Sequence, residues 1–396
     1  MDPGAFTVSR LPRIVFGEGT IARVPELAAA FGKRALIVTG RRSFRESEHW
    51  TALQEGLAVR GMAWETTSVE GEPSPRLVDE AVATFRGSGI EVVVAVGGGS
   101  VLDAAKAIAG LLRHDGSVMD YLEGVGRGLS YEGPAVPFIA VPTTAGTGSE
   151  ATKNAVLSDR RAGGFKKSFR HDCLVASYAV VDPSTLERCP REVIAADGMD
   201  AITQLIESYT SARANPMTDA LAISGLEAAI GGLWEWYRGG DDAAAGRRRM
   251  AYAALVSGIT LAQVGLGAVH GLASPLGAFY PIPHGVVCGT LVGAATEVNV
   301  TAISAREPDN PALAKYARLG ALLAGVESAD AAVLCSTLIE VLRDLTVRLD
   351  LPRLGIYGVK ESDIGEIVAE SRGSSMKTNP IVLTDDEIAS ILQTRL

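Results

Sequence analysis

The sequence predicts an α/β fold followed by an all-α one, with the boundary near residue 184, giving domains 1–183 and 184–396. Three observations carry this. In the first half, short β-branched runs alternate with helical stretches, the pattern of a parallel sheet covered on both faces. After "VVDPSTLERCP" (180–190), apolar residues fall at helical spacing and no strand pattern recurs. The chain's 396 residues also exceed what one hydrophobic core ordinarily serves.

The elements follow in order. "RALIVTG" (34–40), "IEVVVAVGG" (90–98) and "AVPFIAVPTT" (135–144) read as strands that stop at Gly, Pro or Thr. "PRLVDEAVATFRGSG" carries apolar residues at helical spacing and ends at glycine. In "VVVAVGGGSVLDAAKAIAG" (92–110), a buried strand, a glycine turn and a helix from about Ser100 run on without interruption. Later, "MTDALAISGLEAAIGGLWEWYR", "AAAGRRRMAYAALVSGITLAQ" and "AAVLCSTLIEVLRDLTVRLD" are the clearest helices. Residues 251–269 are apolar enough to raise a membrane span. Gln263, the Ser, Thr and Gly residues and the histidine that follows instead predict a buried core helix, with His270 inside a long apolar helix.

A net charge of −9 argues against nucleic acid or an anionic membrane as partner. The opening residues show no apolar run behind a basic end, so no signal peptide is expected and the cytoplasm is the predicted compartment. Cys173, Cys189, Cys288 and Cys335 lack CxxC spacing, which predicts reduced thiols rather than a thiol-based zinc site.

Two loops suit a phosphate-bearing ligand. Glycines at 97–99 allow close backbone approach, and the helix that follows offers free N–H groups and a positive dipole end. A tight turn with no ligand would use the same residues, and GGGS is not the usual GxGxxG fingerprint. "PTTAGTGSE" (142–150) adds four hydroxyls on a small-residue loop directly after a strand, where open α/β sheets bind ligands. The first strand ends "VTGRR". Gly40 followed by Arg41 and Arg42 leaves room and positive charge for a 2′-phosphate, which favours NADP(H) over NAD(H).

Of five histidines, His49, His114 and His171 lie in polar or helix-end contexts and read as surface residues. His270 and His284, in "VHGLASPLGAFYPIPHG", together with Asp200 in "GMDAITQLIE" make a metal-ligand cluster plausible. Gln204 lies four residues after Asp200, one turn along the same helical face.

These segments resemble the iron-containing (group III) alcohol dehydrogenases. "GGGSVLDAAKAIA", "VPTTAGTGSEATKNAV", "DGMDAITQLIE" and "HGLASPLG…IPHG" occur in that order at family-like spacing, across essentially the whole chain. The resemblance implies a Rossmann-like dinucleotide-binding domain and a C-terminal helical domain, as in the dehydroquinate synthase-like superfamily. It implies a substrate and a divalent metal in the cleft between them, and a homodimer or larger homo-oligomer. Carried over by residue, Gly97, Gly98, Gly99 and Ser100 cradle the pyrophosphate, with Asp103 nearby. Thr143, Thr144, Ser149, Asn154 and Lys166 are further cofactor contacts; Gly40 and Arg41, from the end of the first strand, and Leu186 are expected beside them. Asp200, His270 and His284 match three metal-ligand positions, and Gln204 falls where the family usually has histidine. Ser274 falls where many members carry another histidine that relays a proton.

The expected activity is NAD(P)-dependent interconversion of a small alcohol and its aldehyde or ketone. A metal, iron first and zinc second, polarises the carbonyl oxygen while the nicotinamide supplies hydride. His270, His284 and Gln204 are the expected catalytic groups. As a fourth ligand, Gln204 offers a weaker, harder oxygen than imidazole, which penalises zinc most. Without a metal, Gln204 would donate N–H to the substrate oxygen and a histidine the proton, as in maleylacetate reductases. A dehydroquinate synthase-like lyase and a non-catalytic binding relative are the remaining readings. The former wants a richer basic set around 200–290, and the latter does not explain the intact loops.

Overall fold

Strands buried on both faces need helices on both sides, and the N-terminal half supplies them. In the computed structural model, which describes residues 4–160, 164–327 and 330–396, the strands are β1 (Arg13–Phe16), β2 (Arg34–Gly40), β3 (Ala63–Val69), β4 (Val92–Gly97), β5 (Phe138–Pro142), β6 (Asn154–Asp159), β7 (Phe165–Arg170) and β8 (Tyr178–Val181). Six of them form one parallel sheet in the order β1-β8-β5-β4-β2-β3. Alternate residues of each central strand feed opposite cores. Leu36, Val38, Val93, Ala95 and Ala140 pack under α3 (Pro75–Phe85) and α4 (Gly99–Leu111). Ala35, Ile37, Val94, Val96 and Val141 pack under α1 (Val24–Ala29) and α2 (Glu48–Val59).

From β2 the chain proceeds through α2 outward to β3, whereas from β4 it proceeds through α4 the other way to β5. The winding therefore reverses between β2 and β4, whose carboxyl ends lie side by side with Thr39 opposite Val96. That reversal is where a doubly wound sheet leaves a crevice. The antiparallel hairpin β6–β7 has no strand signature in "NAVLSD" and "FKKSFR". Its few apolar residues, Ala155, Leu157 and Phe169, are buried in the same core as α4, so tertiary packing overrides local pattern.

By contact the chain divides into Ser9–Pro190 and a second unit, Arg191–Leu396, which also includes the N-terminal segment through Val8. The described part of the second unit holds α5 (Arg191–Thr210), α6 (Pro216–Arg238), α7 (Ala243–Val264), α8 (Ala268–Phe279), α9 (His284–Arg306), α10 (Ala312–Ala324), α11 (Ala331–Arg348), α12 (Ile364–Glu370) and α13 (Asp385–Thr394), and no strand. The fold is thus a parallel α/β domain and a helical domain, as the sequence predicts. Helix α5 is buried almost all round, from Ile194 to Thr210, and packs against α6, α7 and α9. A helix without a solvent face belongs at the centre of its unit.

The stretch 251–269 differs from the single long helix expected. Helix α7 stops at Val264 because Gly265 adopts φ 75°, and α8 leaves at a bend of 99°. His270 therefore sits in the first turn of a separate helix, not inside a long one. Helix α9 is long and apolar enough to cross a membrane by length and composition, but most of that window is buried in the protein.

Helix α9 approaches α5 through glycine. A Cβ on Gly285 would stand 2.5 Å from the carbonyl carbon and oxygen of Ala196, and one on Gly289 would stand 2.7 Å from the Met199 Cβ. Backbone cannot step aside as a side chain can, so Gly285→Ala should force the two helices apart. The expected loss is about 1–3 kcal/mol, read as a lowered thermal unfolding midpoint of the helical unit. An unchanged midpoint would show that the helices are not held this closely.

Candidate active site

The helical unit converges four side chains on one point. Helix α5 supplies Asp200, α8 supplies His270, and the first turn of α9 supplies His284 and, four residues on, Cys288. One potential ligand atom from each lies within 4.8 Å of all the others. His270 Nε2 is 3.2 Å from Asp200 Oδ1, and His284 Nε2 is 3.8 Å from the same oxygen. The Cys288 Sγ is 3.6 Å from His270 Nε2 and 3.8 Å from His284 Nε2.

Asp200 is 1% exposed, and its Oδ2 is buried with no hydrogen-bond partner among the described residues. A buried carboxylate oxygen left bare is costly unless a cation completes it. Burial alone would raise the Asp200 carboxyl; the neighbouring His284 and His270 and the Cys288 contact outweigh it and hold the group at about 2. Burial likewise opposes charge on His270, but the Cys288 sulfur, Glu207 and Asp200 raise it well above the ordinary value. The Cys288 thiol is pushed up to about 12, chiefly by burial, and a divalent cation would displace its proton.

Glu207 organises this centre from behind. It lies seven residues after Asp200 on the same face of α5. Its Oε2 meets His270 Nδ1 at 2.6 Å, while Oε1 accepts the backbone N–H of Val269 at 2.7 Å. One carboxylate thus orients the imidazole, turns Nε2 toward the cluster and caps the start of α8. Between Asp200 and Glu207 on that stripe sits Gln204, 2% exposed, whose Oε1 accepts the Ser257 hydroxyl at 2.7 Å. Ser274 lies one turn beyond His270 on α8. Cys288 and Glu207 were not singled out in the sequence. The available signals were helical offsets, His284 to Cys288 at i+4 and Asp200 to Glu207 at i+7, rather than any CxxC or HxxxH spacing.

In the α/β unit the glycine turn and the threonine loop pack on one another. A Cβ at Gly98 would meet the Thr144 side chain at 3.2 Å, and one at Gly99 would meet that of Thr147 at 2.7 Å. Thr143 donates its N–H to the Gly97 carbonyl. Ser100 follows in the first turn of α4. Behind them Lys106, fully buried, donates from Nζ to the Ser149 carbonyl and hydroxyl, the Thr152 hydroxyl and the Asn154 carbonyl. Asp103 accepts from the Ser149 hydroxyl at 2.5 Å and from the Val156 N–H. Asp103, Ser149 and Asn154 are therefore joined as one internal network. Lys166 stands apart from Asn154 on the hairpin and pairs with Glu72 at 2.8 Å.

At the end of β2, Gly40 has open space, and Arg41 turns its guanidinium onto both oxygens of Glu70 at 2.9 Å. A cavity of about 330 Å³ is lined by residues that include Phe44, His49, Thr143, Thr144, Thr185 and Arg188. Leu186 is buried in the turn Pro183–Leu186 beside it. The three histidines expected at the surface are half-buried. His114 and His171 both pack on the Tyr131 ring, and His49 lies 3.5 Å from Ser184.

In protein without a bound cation, two opposite pH trends are expected. The raised His270 value means its stabilisation is complete below pH 6.5 and is lost as pH rises through the folded value. The depressed Asp200 value gives stabilisation that is present above 3.8 and is lost as pH falls toward about 2. The unfolding midpoint of the helical unit should thus decline above pH 6.5, and Glu207→Gln should flatten that decline. A midpoint that climbs from pH 6.5 upward would mean that His270 is neutral.

Comparison with known proteins bears on both halves. Residues 12–183 match the family described as "Iron-containing alcohol dehydrogenase", and residues 194–396 match its C-terminal domain, "Fe-containing alcohol dehydrogenase family, C-terminal". The chain is 33% identical to Alcohol dehydrogenase 4 of Saccharomyces cerevisiae (strain ATCC 204508 / S288c) over 392 residues, 96% of each chain. It is 32% identical to the NAD-dependent methanol dehydrogenase of Bacillus methanolicus, covering 97% of this chain and 98% of that one. The crystal structure of a 1,3-propanediol oxidoreductase superposes with TM-score 0.89 at 29% identity, over 99% of this chain and all of the other.

Proposed function

The chain belongs to the iron-containing alcohol dehydrogenase family, and from that premise we propose that it interconverts a small alcohol and its aldehyde or ketone with a nicotinamide cofactor. The observation that carries the reading is the convergence of the buried Asp200 with His270 and the half-buried His284 on one point, with Asp200 Oδ2 left bare. That donor set fits a divalent cation, since a carboxylate and two imidazoles are the ligands of many open catalytic sites. A cation held there by Asp200, His270 and His284 would supply Lewis acidity toward a substrate oxygen.

The protein's own groups do the rest. Glu207 holds the His270 ring so that Nε2 rather than Nδ1 meets the cluster. Burial of Asp200 and His270 keeps water from competing for the site. In the α/β unit, Gly97, Gly98, Gly99 and Ser100 at the start of α4, with Thr143 and Thr144, receive the pyrophosphate through backbone N–H groups. Asp103, Ser149 and Asn154 keep these loops in shape through Lys106. Leu186, buried between Thr185 and Glu187, supports one wall of the cavity that would take the adenosine side. Relatives named for methanol and 1,3-propanediol support a short-chain alcohol as substrate.

A second, metal-free reading has its own support. His270 bridges two carboxylates, Asp200 and Glu207, and can hold a proton there to give to a substrate oxygen. Gln204 would then donate from its amide. Chelation separates the two. The metal-dependent reading expects activity with NAD(P)H and small aldehydes to disappear as metal is stripped, and to return with a divalent cation. Full activity at metal content far below one per chain would establish the metal-free route.

NADP(H) is the favoured nucleotide, because β2 ends in Gly40 followed by Arg41 and Arg42, with no acidic residue of its own to repel a 2′-phosphate. The Glu70 partner of Arg41 is an exposed ion pair, weak enough for a 2′-phosphate to displace. Arg41→Ala should lower the NADPH to NADH ratio of kcat/KM by about tenfold, the worth of one charge-assisted hydrogen bond. Glu70→Gln should raise it. Ratios unmoved by either change would place the ribose elsewhere.

A further inference from the structure

We propose that the Cys288 thiolate is the fourth ligand of the metal at Asp200, His270 and His284, making this a sulfur-containing centre that prefers zinc to iron. The inference rests on the reading that a cation binds at those three residues, and it concerns which atom completes them.

Geometry supports it. A tetrahedral centre with bonds of about 2.0–2.1 Å to nitrogen and oxygen and about 2.3 Å to sulfur spaces its ligand atoms about 3.4 Å apart, and about 3.6 Å for pairs that include sulfur. The observed separations are 3.2 and 3.8 Å from Asp200 Oδ1 to the two imidazole Nε2 atoms. From the Cys288 Sγ to the same two nitrogens they are 3.6 and 3.8 Å. Four of the six separations in such a centre are thus close to those required, and all four atoms lie within 4.8 Å of one another; a substrate oxygen would join as a fifth ligand.

Helical periodicity explains why Cys288 is there. Residues 284 and 288 are one turn apart on α9, so their side chains emerge on the same face toward α5. Position 204, by contrast, carries an amide whose oxygen already accepts the buried Ser257 hydroxyl. Sulfur thus replaces the missing nitrogen from a different helix. Chemistry then sets the preference. Thiolate and imidazole together suit tetrahedral zinc or cobalt, whereas a carboxylate with two imidazoles and no sulfur is the set associated with iron.

The test is to load the stripped full-length protein with cobalt(II) and record its near-ultraviolet spectrum, where thiolate-to-cobalt charge transfer absorbs. Wild-type protein should bind one equivalent and show the band. Cys288→Ser should lose the band while Gln204→Ala keeps it, and Cys288→Ser should lower zinc affinity by at least about tenfold. Should Cys288→Ser fail to fold, X-ray absorption at the zinc edge of the wild-type protein serves alone, with one sulfur expected at about 2.3 Å. Stoichiometric cobalt without the band, or a zinc shell of nitrogen and oxygen only, would overturn the proposal while leaving the three-residue metal site standing. No cobalt bound at all would overturn both.

Discussion

The arrangement of α5, α8 and α9 turns on burying the charge of Asp200 in the middle of α5. A carboxylate out of water costs several kcal/mol unless partners surround it, and here the partners come from two other helices. Helix α7 ends at Gly265 so that α8 can start afresh with His270 in its first turn, and α9 opens on His284. Both histidines thus come from helix starts, where the local field favours negative charge nearby. Glu207 fastens α8 to α5 through two hydrogen bonds, so the ring that faces Asp200 has little freedom to turn away.

The α/β unit solves a different problem with a buried cation. Lys106 has no exposure and would be destabilising alone, and burial does lower its ammonium value against the pull of Asp103 and Glu150. It is kept by four oxygen acceptors drawn from the loop after β5 and the start of β6. One side chain therefore ties α4 to the threonine loop just behind the glycine turn. Residues that the family resemblance presents as cofactor contacts, Asp103 and Ser149, are also the struts of this arrangement.

The broad architecture was legible in the sequence because it depends on periodicity. "VVVAVGG" could only be an interior strand, and the loss of strand pattern in the second half agrees with its helices, the first of which starts at Arg191. Asp200, His270 and His284 were legible through chemistry, since few other residues of those types occur in apolar surroundings. Cys288 was hidden because cysteine motifs are sought as pairs close in sequence, and its companions are histidines and an aspartate from three helices. The break at Gly265 was hidden because its flanks, "LAQV" and "LGAV", read as one apolar stretch. The hairpin β6–β7 was hidden because only Ala155, Leu157 and Phe169 carry its packing.

The glycine contacts of α9 with α5 act as a ruler. At Gly285 the α9 backbone lies against the Ala196 backbone and at Gly289 against the Met199 side chain, so the helices pack at a separation that a side chain at either glycine would widen. The bite between Asp200 on one helix and His284 on the other, 3.8 Å, is held short by that packing. A calcium ion, which wants six to eight oxygens at about 2.3–2.6 Å, would have to spread the helices and would find too few oxygens when it had done so. In a metal centre built on Asp200 and His284, two glycines that supply no ligand atom would thereby favour small ions over large ones, independently of the electronic taste of the donor atoms.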